Sequence, residues 1–419
     1  MSAARGWTID DAVRYLLSLE LFGMRFGLDR MRRLMTALGH PERQFKSIHV
    51  VGTNGKSSTV RMTAAILARH GLRTGAYLSP HLVSFEERVR IDDQDLEPSA
   101  FAAAVARAAR AAELVNRSLV GDDRVTQFEA LTAAAYSELA ERGVEVAVIE
   151  AGLGGRYDAT NVIPSTVQVL TSVGLEHTRW LGPTVRDIAI EKLDVVQPGG
   201  VLVIGPGLHP DALAIARAIA AERGARVVEA GEDPGVAVGA LGAFQRRNFA
   251  VAEEAARAYL GRLDPEAVAA AAEAVRVPGR LQQIDDDPMT LLDGAHNPDG
   301  VRALIESLPE ITAGKQRLVA VVSILDDKDA TRMLTALTRV SDALVLTSSQ
   351  NPRALPPPTL QSLAGQLDGP PSEVVREPRA ALDRARELAG RDGVVLATGS
   401  IYLVADLLAP IGRRRASML

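Results

Sequence analysis

The chain has 419 residues, an apolar fraction of 47% and a formal net charge of −5, which fits a folded protein of two domains and excludes a disordered chain or a nucleic-acid partner held by charge. It contains no cysteine, which excludes disulfides, thiolate metal sites and cysteine nucleophiles. The first residues lack an apolar signal core and no run of about 18 apolar residues occurs, so a cytoplasmic protein with no membrane partner is expected. The basic run Arg413-Arg414-Arg415 reads as a solvated tail.

Apolar, β-branched runs predict strands over 48–51, 144–149, 166–171 and 201–204, each leading into a turn rich in glycine or polar residues. Helical patterns over 100–116, 128–142 and 211–223 alternate with them, the signature of βαβ units and a parallel, doubly wound sheet. After a further helical stretch over 265–275, the turn Val277-Pro278-Gly279-Arg280 marks a domain boundary. Strands over 289–292, 317–322, 343–347 and 393–397 then alternate with helices over 301–308, 330–338, 379–389 and 402–408. Two α/β domains are predicted, 1–278 and 279–419, the second near the usual domain size.

The first strand runs into Gly52-Thr53-Asn54-Gly55-Lys56-Ser57-Ser58 and then a helix. Backbone N–H groups of such a turn, with a helix N-terminus behind them, cradle a polyphosphate. Lys56 would reach the terminal phosphates and a following hydroxyl would ligate magnesium. The strict spacing asks for a glycine where Val50 stands, so this is a variant loop. Glu150 ends a fully apolar strand, where ligands of open α/β sheets gather, and a carboxylate there suits a hard magnesium ion as well as it suits a helix cap. His177 follows another strand, where a single histidine is more often a hydrogen-bonding residue than a metal ligand. Ser79-Pro80-His81-Leu82 follows an apolar stretch, and Glu191-Lys192 on a predicted helix reads as a solvated charged pair. Residue chemistry alone stops at an ATP–magnesium site with an undetermined acceptor.

Taken in order, the motifs resemble the folylpolyglutamate synthase/dihydrofolate synthase family of the Mur ligase superfamily. The resemblance is carried by the segment opening at Leu21 and ending at Asp29-Arg30, the phosphate loop from His49 to Lys56, and Ser79-Pro80-His81-Leu82 with Glu87-Arg88. It continues through Thr126-Gln127-Phe128-Glu129, the run from Glu150 to Asn161, and Ile188 to Lys192. In the second domain it rests on Gly279-Arg280, Asp293 to Pro298, Asp327-Lys328-Asp329 and Thr398-Gly399-Ser400.

That resemblance implies an N-terminal P-loop ATPase domain of Mur-ligase type and a smaller, Rossmann-like C-terminal domain that binds glutamate. It implies ATP on Lys56 and the loop from Gly52 to Ser58, with Gln245, Asn248, Arg280 and Asp293 as further nucleotide contacts. Two magnesium ions are implied, the first on Ser57 or Ser58 with Glu150 and Ser79, the second on Glu150 and His177. Lys192 matches the family lysine that is carbamylated into an anionic ligand, which displaces the charged-pair reading. Asp293 and His296 would organise nucleotide and glutamate, and Ser400 and Tyr402 are candidates for the glutamate pocket; which residue takes the amine proton is not readable from the sequence, His296 being one candidate. The sequence departs from the usual family pattern at Ser57, where glycine is common, at Glu176, where aspartate precedes the histidine, and at Leu193-Asp194-Val195.

The activity implied is ligation of L-glutamate to dihydropteroate or a reduced folate through an acyl phosphate. Such an intermediate needs a water-free site, which two domains closing about a hinge near 277–282 would supply, and a monomer is expected because the sequence shows no obvious exposed apolar repeat. A Mur-type ligase for another carboxylate and a non-catalytic nucleotide-binding relative are the competing readings.

Overall fold

The computed structural model describes residues 6–19 and 27–410. Most of the motif opening at Leu21, and the run Arg413–Arg415, lie outside the described residues. The chain divides into two compact units, one of residues 1–237 and 247–275, the other of 238–246 and 276–418. The second unit thus takes in a stretch that a single cut near 280 assigns to the first. Among the described residues no helix is long and apolar enough to cross a membrane.

The first unit is built on an eight-stranded sheet. Its strands are β1 (Lys46–Val51), β2 (Thr74–Tyr77), β3 (Val89–Ile91), β4 (Gln94–Asp95), β5 (Val146–Glu150), β6 (Val167–Leu170), β7 (Val201–Ile204) and β8 (Arg226–Glu229), in the order β4-β3-β2-β5-β1-β6-β7-β8. From β2 to β8 the neighbours pair in parallel, and β3 and β4 turn back antiparallel at one edge. β5 is buried along its whole length. That is why it reads as an unbroken apolar run and not as an alternation, and why a carboxylate at its end needs partners.

The second unit carries a six-stranded sheet in the order β13-β12-β11-β14-β10-β9. Here β9 is Gln282–Asp286, β10 Met289–Leu292, β11 Leu318–Val322, β12 Ala343–Leu346, β13 Ser372–Val374 and β14 Val394–Thr398. Leu291, Val322, Leu346 and Leu396 from four of these strands share one core with Val301, Leu304 and Met333 from the flanking helices. β9 is antiparallel and mostly exposed, an edge strand whose acids deter pairing with another chain.

Every strand and helix expected from the sequence is present, with ends shifted by a few residues. The elements not anticipated include the short or polar edge strands β3, β4, β8, β9 and β13, where hydrophobic periodicity has little to report, and the helices Ile9–Ser18, Asp29–Ala37, Ala243–Leu260 and Pro357–Gln366.

The loop after β5 packs on the helix Val185–Leu193 at its last turn, where Arg156 N–H donates to the Glu191 carbonyl at 3.0 Å. A methyl group at Gly155 would fall 2.4 Å from the Lys192 carbonyl oxygen and 2.9 Å from that of Glu191. Backbone cannot step aside as a side chain can. Gly155→Ala is therefore expected to cost about 1–3 kcal/mol by overpacking, read as a lower urea midpoint, and an unchanged midpoint would contradict this packing.

Candidate active site

The phosphate loop is built by β1, which ends in the sheet interior and passes into Gly52 and a left-handed Gly55 at φ 88°. Gly55 is also the N-cap of the helix Lys56–Arg69, and no side chain caps that end. The first-turn N–H groups are thus left to a ligand, with the positive end of the helix dipole behind them. The end of β6 braces the loop. Thr53 N–H donates to Ser172 O at 2.9 Å, Asn54 N–H to Ser172 Oγ at 2.9 Å, and Thr171 Oγ1 to Asn54 O at 2.7 Å. Asn248 also lies against it, since a methyl at Gly55 would meet Asn248 Oδ1 at 2.5 Å.

Two amines meet on one carbonyl of this loop. Lys56 Nζ donates to Gly52 O and Thr53 O, both at 3.1 Å, and Lys192 Nζ donates to Gly52 O at 2.8 Å. Lys192 is only 4% exposed, so the reading of Glu191-Lys192 as a solvated pair is wrong for the lysine. The helix turns Lys192 inward and leaves Glu191 half-buried beside Arg156. Burial, and then the positive charge of Lys56, bring the Lys192 amine down to about 7.

At the end of β5, Glu150 is 1% exposed and both carboxylate oxygens are engaged. Ser57 Oγ donates to Oε1 at 2.9 Å and Ser79 N–H to Oε2 at 3.2 Å. The hydroxyl that meets Glu150 is therefore that of Ser57, while Ser58 is buried one residue on. Arg88 and His81 hold the Ser79 segment from below, residues to which sequence reasoning assigned no role. Arg88 Nε donates to His81 Nδ1 at 2.9 Å, and Arg88 approaches Ser79 Oγ at 3.4 Å. Burial and the adjacent guanidinium push His81 well below its ordinary pKa, so its ring accepts as a neutral imidazole.

These donors fit magnesium. A hydroxyl, a buried carboxylate and a second serine lie next to a phosphate cradle, and magnesium takes few protein oxygens, filling its shell with phosphate and water. Among the described residues no group of three or more His, Asp or Glu side chains stands ready as a metal cage. His177 is exposed in a left-handed turn after β6, at the start of the short helix Thr178–Leu181.

Thr126-Gln127-Phe128-Glu129 proves to be an anchor. Thr126 and Glu129 form a capping box on the helix Gln127–Glu141, and Glu129 also takes Arg30 Nε at 3.1 Å on each oxygen. In the second unit Asp293 accepts Leu281 N–H and Ala295 N–H, both at 2.8 Å. Burial raises its carboxyl and the nearby Arg280 partly offsets that. His296 Nδ1 lies 2.8 Å from Gly294 O. Ser400 Oγ accepts Tyr402 N–H at 3.1 Å as the cap of the helix Ile401–Leu408, a structural task. Gln245 is buried and falls in the second unit, while Asn248, one turn on, falls in the first.

Residues 279–401 match the model of the Mur ligase glutamate ligase domain. The chain is 36% identical over 94% of its length to a probable bifunctional folylpolyglutamate synthase/dihydropteroate synthase of Haloferax volcanii, and it spans 50% of that longer protein. It is 34% identical over 94% of its length to the folylpolyglutamate synthase of Lacticaseibacillus casei, of which it covers 96%. A solved structure of Mycobacterium tuberculosis folylpolyglutamate synthase complexed with ADP superposes with a TM-score of 0.88 at 31% identity, covering 95% of this chain and 98% of that one. With near-complete coverage on both sides, and the phosphate loop and Glu150 brought together as the motif order implied, the chain belongs to the folylpolyglutamate synthase/dihydrofolate synthase family of carbon–nitrogen ligases.

Proposed function

We propose that this chain joins L-glutamate to the carboxylate of a folate-type acceptor, dihydropteroate or a reduced folate, at the expense of ATP. The observation that carries the reading is Lys192, a buried amine 2.8 Å from the Gly52 carbonyl of the phosphate loop. A lysine brought down to about 7 is an amine that CO2 can carbamylate, which would turn a buried cation into an anionic oxygen donor.

The loop amides and Lys56 hold the β- and γ-phosphates of ATP, with Asn248, Gln245, Arg280 and Asp293 as further nucleotide contacts. Ser57 or Ser58, Ser79 and Glu150 would hold one magnesium ion, and Glu150, His177 and carbamylated Lys192 a second. Magnesium supplies charge neutralisation on the transferring phosphoryl group. The acceptor carboxylate attacks the γ-phosphorus in line and ADP leaves, giving an acyl phosphate. The neutral amino group of L-glutamate then attacks the acyl carbon, phosphate leaves and an amide forms, with His296 taking the amine proton. Splitting one hard condensation into two displacements is the gain from the intermediate. The protein acts as a cytoplasmic monomer on small-molecule substrates.

ADP release by the purified protein with ATP and magnesium is expected to depend on L-glutamate and on the acceptor. Turnover with dihydropteroate, with tetrahydrofolate or with both assigns the acceptor. No turnover with either, in protein that binds ATP, would remove the folate reading.

A further inference from the structure

The segment from Ser79 to Arg88 closes on itself. Strands β2 and β3 frame it, with Tyr77 paired to Val89 and Leu78 N–H donating to Arg88 O at 2.8 Å. Glu87 accepts three N–H groups of the turn, from Leu82 at 2.8 Å, Val83 at 2.9 Å and Ser84 at 2.8 Å. An irregular turn cannot satisfy such donors from its own carbonyls, and one carboxylate can take several of them.

Arg88 holds the other half of the turn. It is 1% exposed, and Phe85 packs against it and against His81, with the guanidinium carbon 5.6 Å from the Phe85 centroid and the two rings 4.4 Å apart. A guanidinium only donates, so the 2.9 Å contact from Arg88 Nε requires a lone pair on His81 Nδ1 and places the ring proton on Nε2. Nη1 of the same fork reaches Ser79 Oγ at 3.4 Å. One rigid group therefore spans the two residues on either side of Pro80. Ser79 in turn gives its N–H to Glu150 Oε2 at 3.2 Å. The Glu87-Arg88 pair thus engages groups of its own loop, and the loop ends on a carboxylate beside the phosphate cradle.

We propose that His81, Glu87 and Arg88 are positioning residues for a magnesium ion, a bracket that fixes Ser79 Oγ and, through the Ser79 N–H, the Glu150 carboxylate, without touching the acceptor. The inference rests on the reading of Ser79 and Glu150 as magnesium ligands. Groups that orient metal ligands from behind are typically worth about 10- to 100-fold in metal affinity or activity.

The test titrates Mn2+, standing in for magnesium at oxygen donors, into the full chain with ADP present, and reads free Mn2+ by paramagnetic resonance. No turnover is needed. His81→Phe/Arg88→Met replaces both buried partners by apolar side chains and strands neither, so it is expected to fold. Its Mn2+ affinity is expected to fall about tenfold. Arg88→Lys, whose single ammonium lacks the fork, is expected to fall likewise, and it decides the matter should the double variant not fold. His81→Asn keeps an acceptor near the Nδ1 position and is expected to stay within about threefold of the wild type. In turnover, the magnesium needed for half-saturation is expected to rise about tenfold in the double variant, with KM for the acceptor within about twofold. Wild-type Mn2+ affinity in the folded double variant, or in Arg88→Lys where only that one folds, overturns the proposal. So does a loss in His81→Asn as large as in the double variant, or an acceptor KM that rises as much as the magnesium requirement. Should the wild type turn over neither acceptor, the ligase reading fails while the Mn2+ titration still decides the bracket.

Discussion

Replacing Lys192 with alanine is expected to lower glutamate-dependent ADP release by about 10²–10³-fold, the range for losing one preorganised charge-stabilising group. Addition of a small carboxylate such as acetate is expected to return part of the rate. Lys192 is buried against Gly52 O at 2.8 Å with a second amine, Lys56 Nζ, on the same carbonyl. Two cations sharing one carbonyl is a costly arrangement unless one of them is neutral or modified. With its amine near 7, about half of Lys192 is uncharged at neutral pH, against about one part in 3,000 for an ordinary lysine. The sign follows directly. The neutral, CO2-reactive fraction grows as pH rises through about 7, so activation at fixed dissolved CO2 should speed up from pH 6 to pH 8. Labelled bicarbonate should give a carbamate carbon signal in the wild type that is absent from Lys192→Ala. Activity of the alanine variant within threefold of the wild type, or no carbamate signal, would rule out this role.

Glu150→Gln is expected to have an effect of similar size, about 10²–10³-fold on turnover, together with a higher magnesium requirement. Glutamine is close in shape, and its oxygen can keep the Ser79 N–H that now donates to Glu150 Oε2 at 3.2 Å while its amide donates to Ser57 Oγ, a hydroxyl free to turn from donor to acceptor. The fold should therefore persist, and removing an acid that is 1% exposed relieves a desolvation cost. What is lost is the anionic donor facing the phosphate cradle. A variant of unchanged thermal stability whose ADP release saturates only at higher magnesium is the expected outcome. Wild-type magnesium dependence would mean that Glu150 is a structural acid.

The core elements were legible because buried parallel strands such as β5 and β11 are unbroken apolar runs, and the helices between them keep a helical period. The antiparallel edges β3, β4 and β9 were not, because a two- or three-residue strand, or one made of Gln and Asp, carries no periodic signal. The phosphate loop was legible from Gly55-Lys56 and its position between a strand and a helix. The inward turn of Lys192 was not visible in local chemistry, since Glu-Lys on a helix is usually solvated, and only the family resemblance pointed to it. Thr126 and Glu129 show the reverse. Their spacing is that of a capping box, a signal present in the sequence that explains the motif without any substrate. His81 and Arg88 could be recognised as a motif, but their pairing needed the fold, because their contact brings together a loop and the end of a short helical turn.

The central claim is that ATP activates the acceptor's carboxylate, and oxygen transfer tests it most directly. With the acceptor carboxylate labelled with ¹⁸O, the phosphate released in the presence of L-glutamate should carry one labelled oxygen from each turnover, because the acyl phosphate's bridging oxygen leaves with phosphorus. Unlabelled phosphate accompanying amide formation would contradict it and would require the nucleotide to be split without phosphorylating the acceptor.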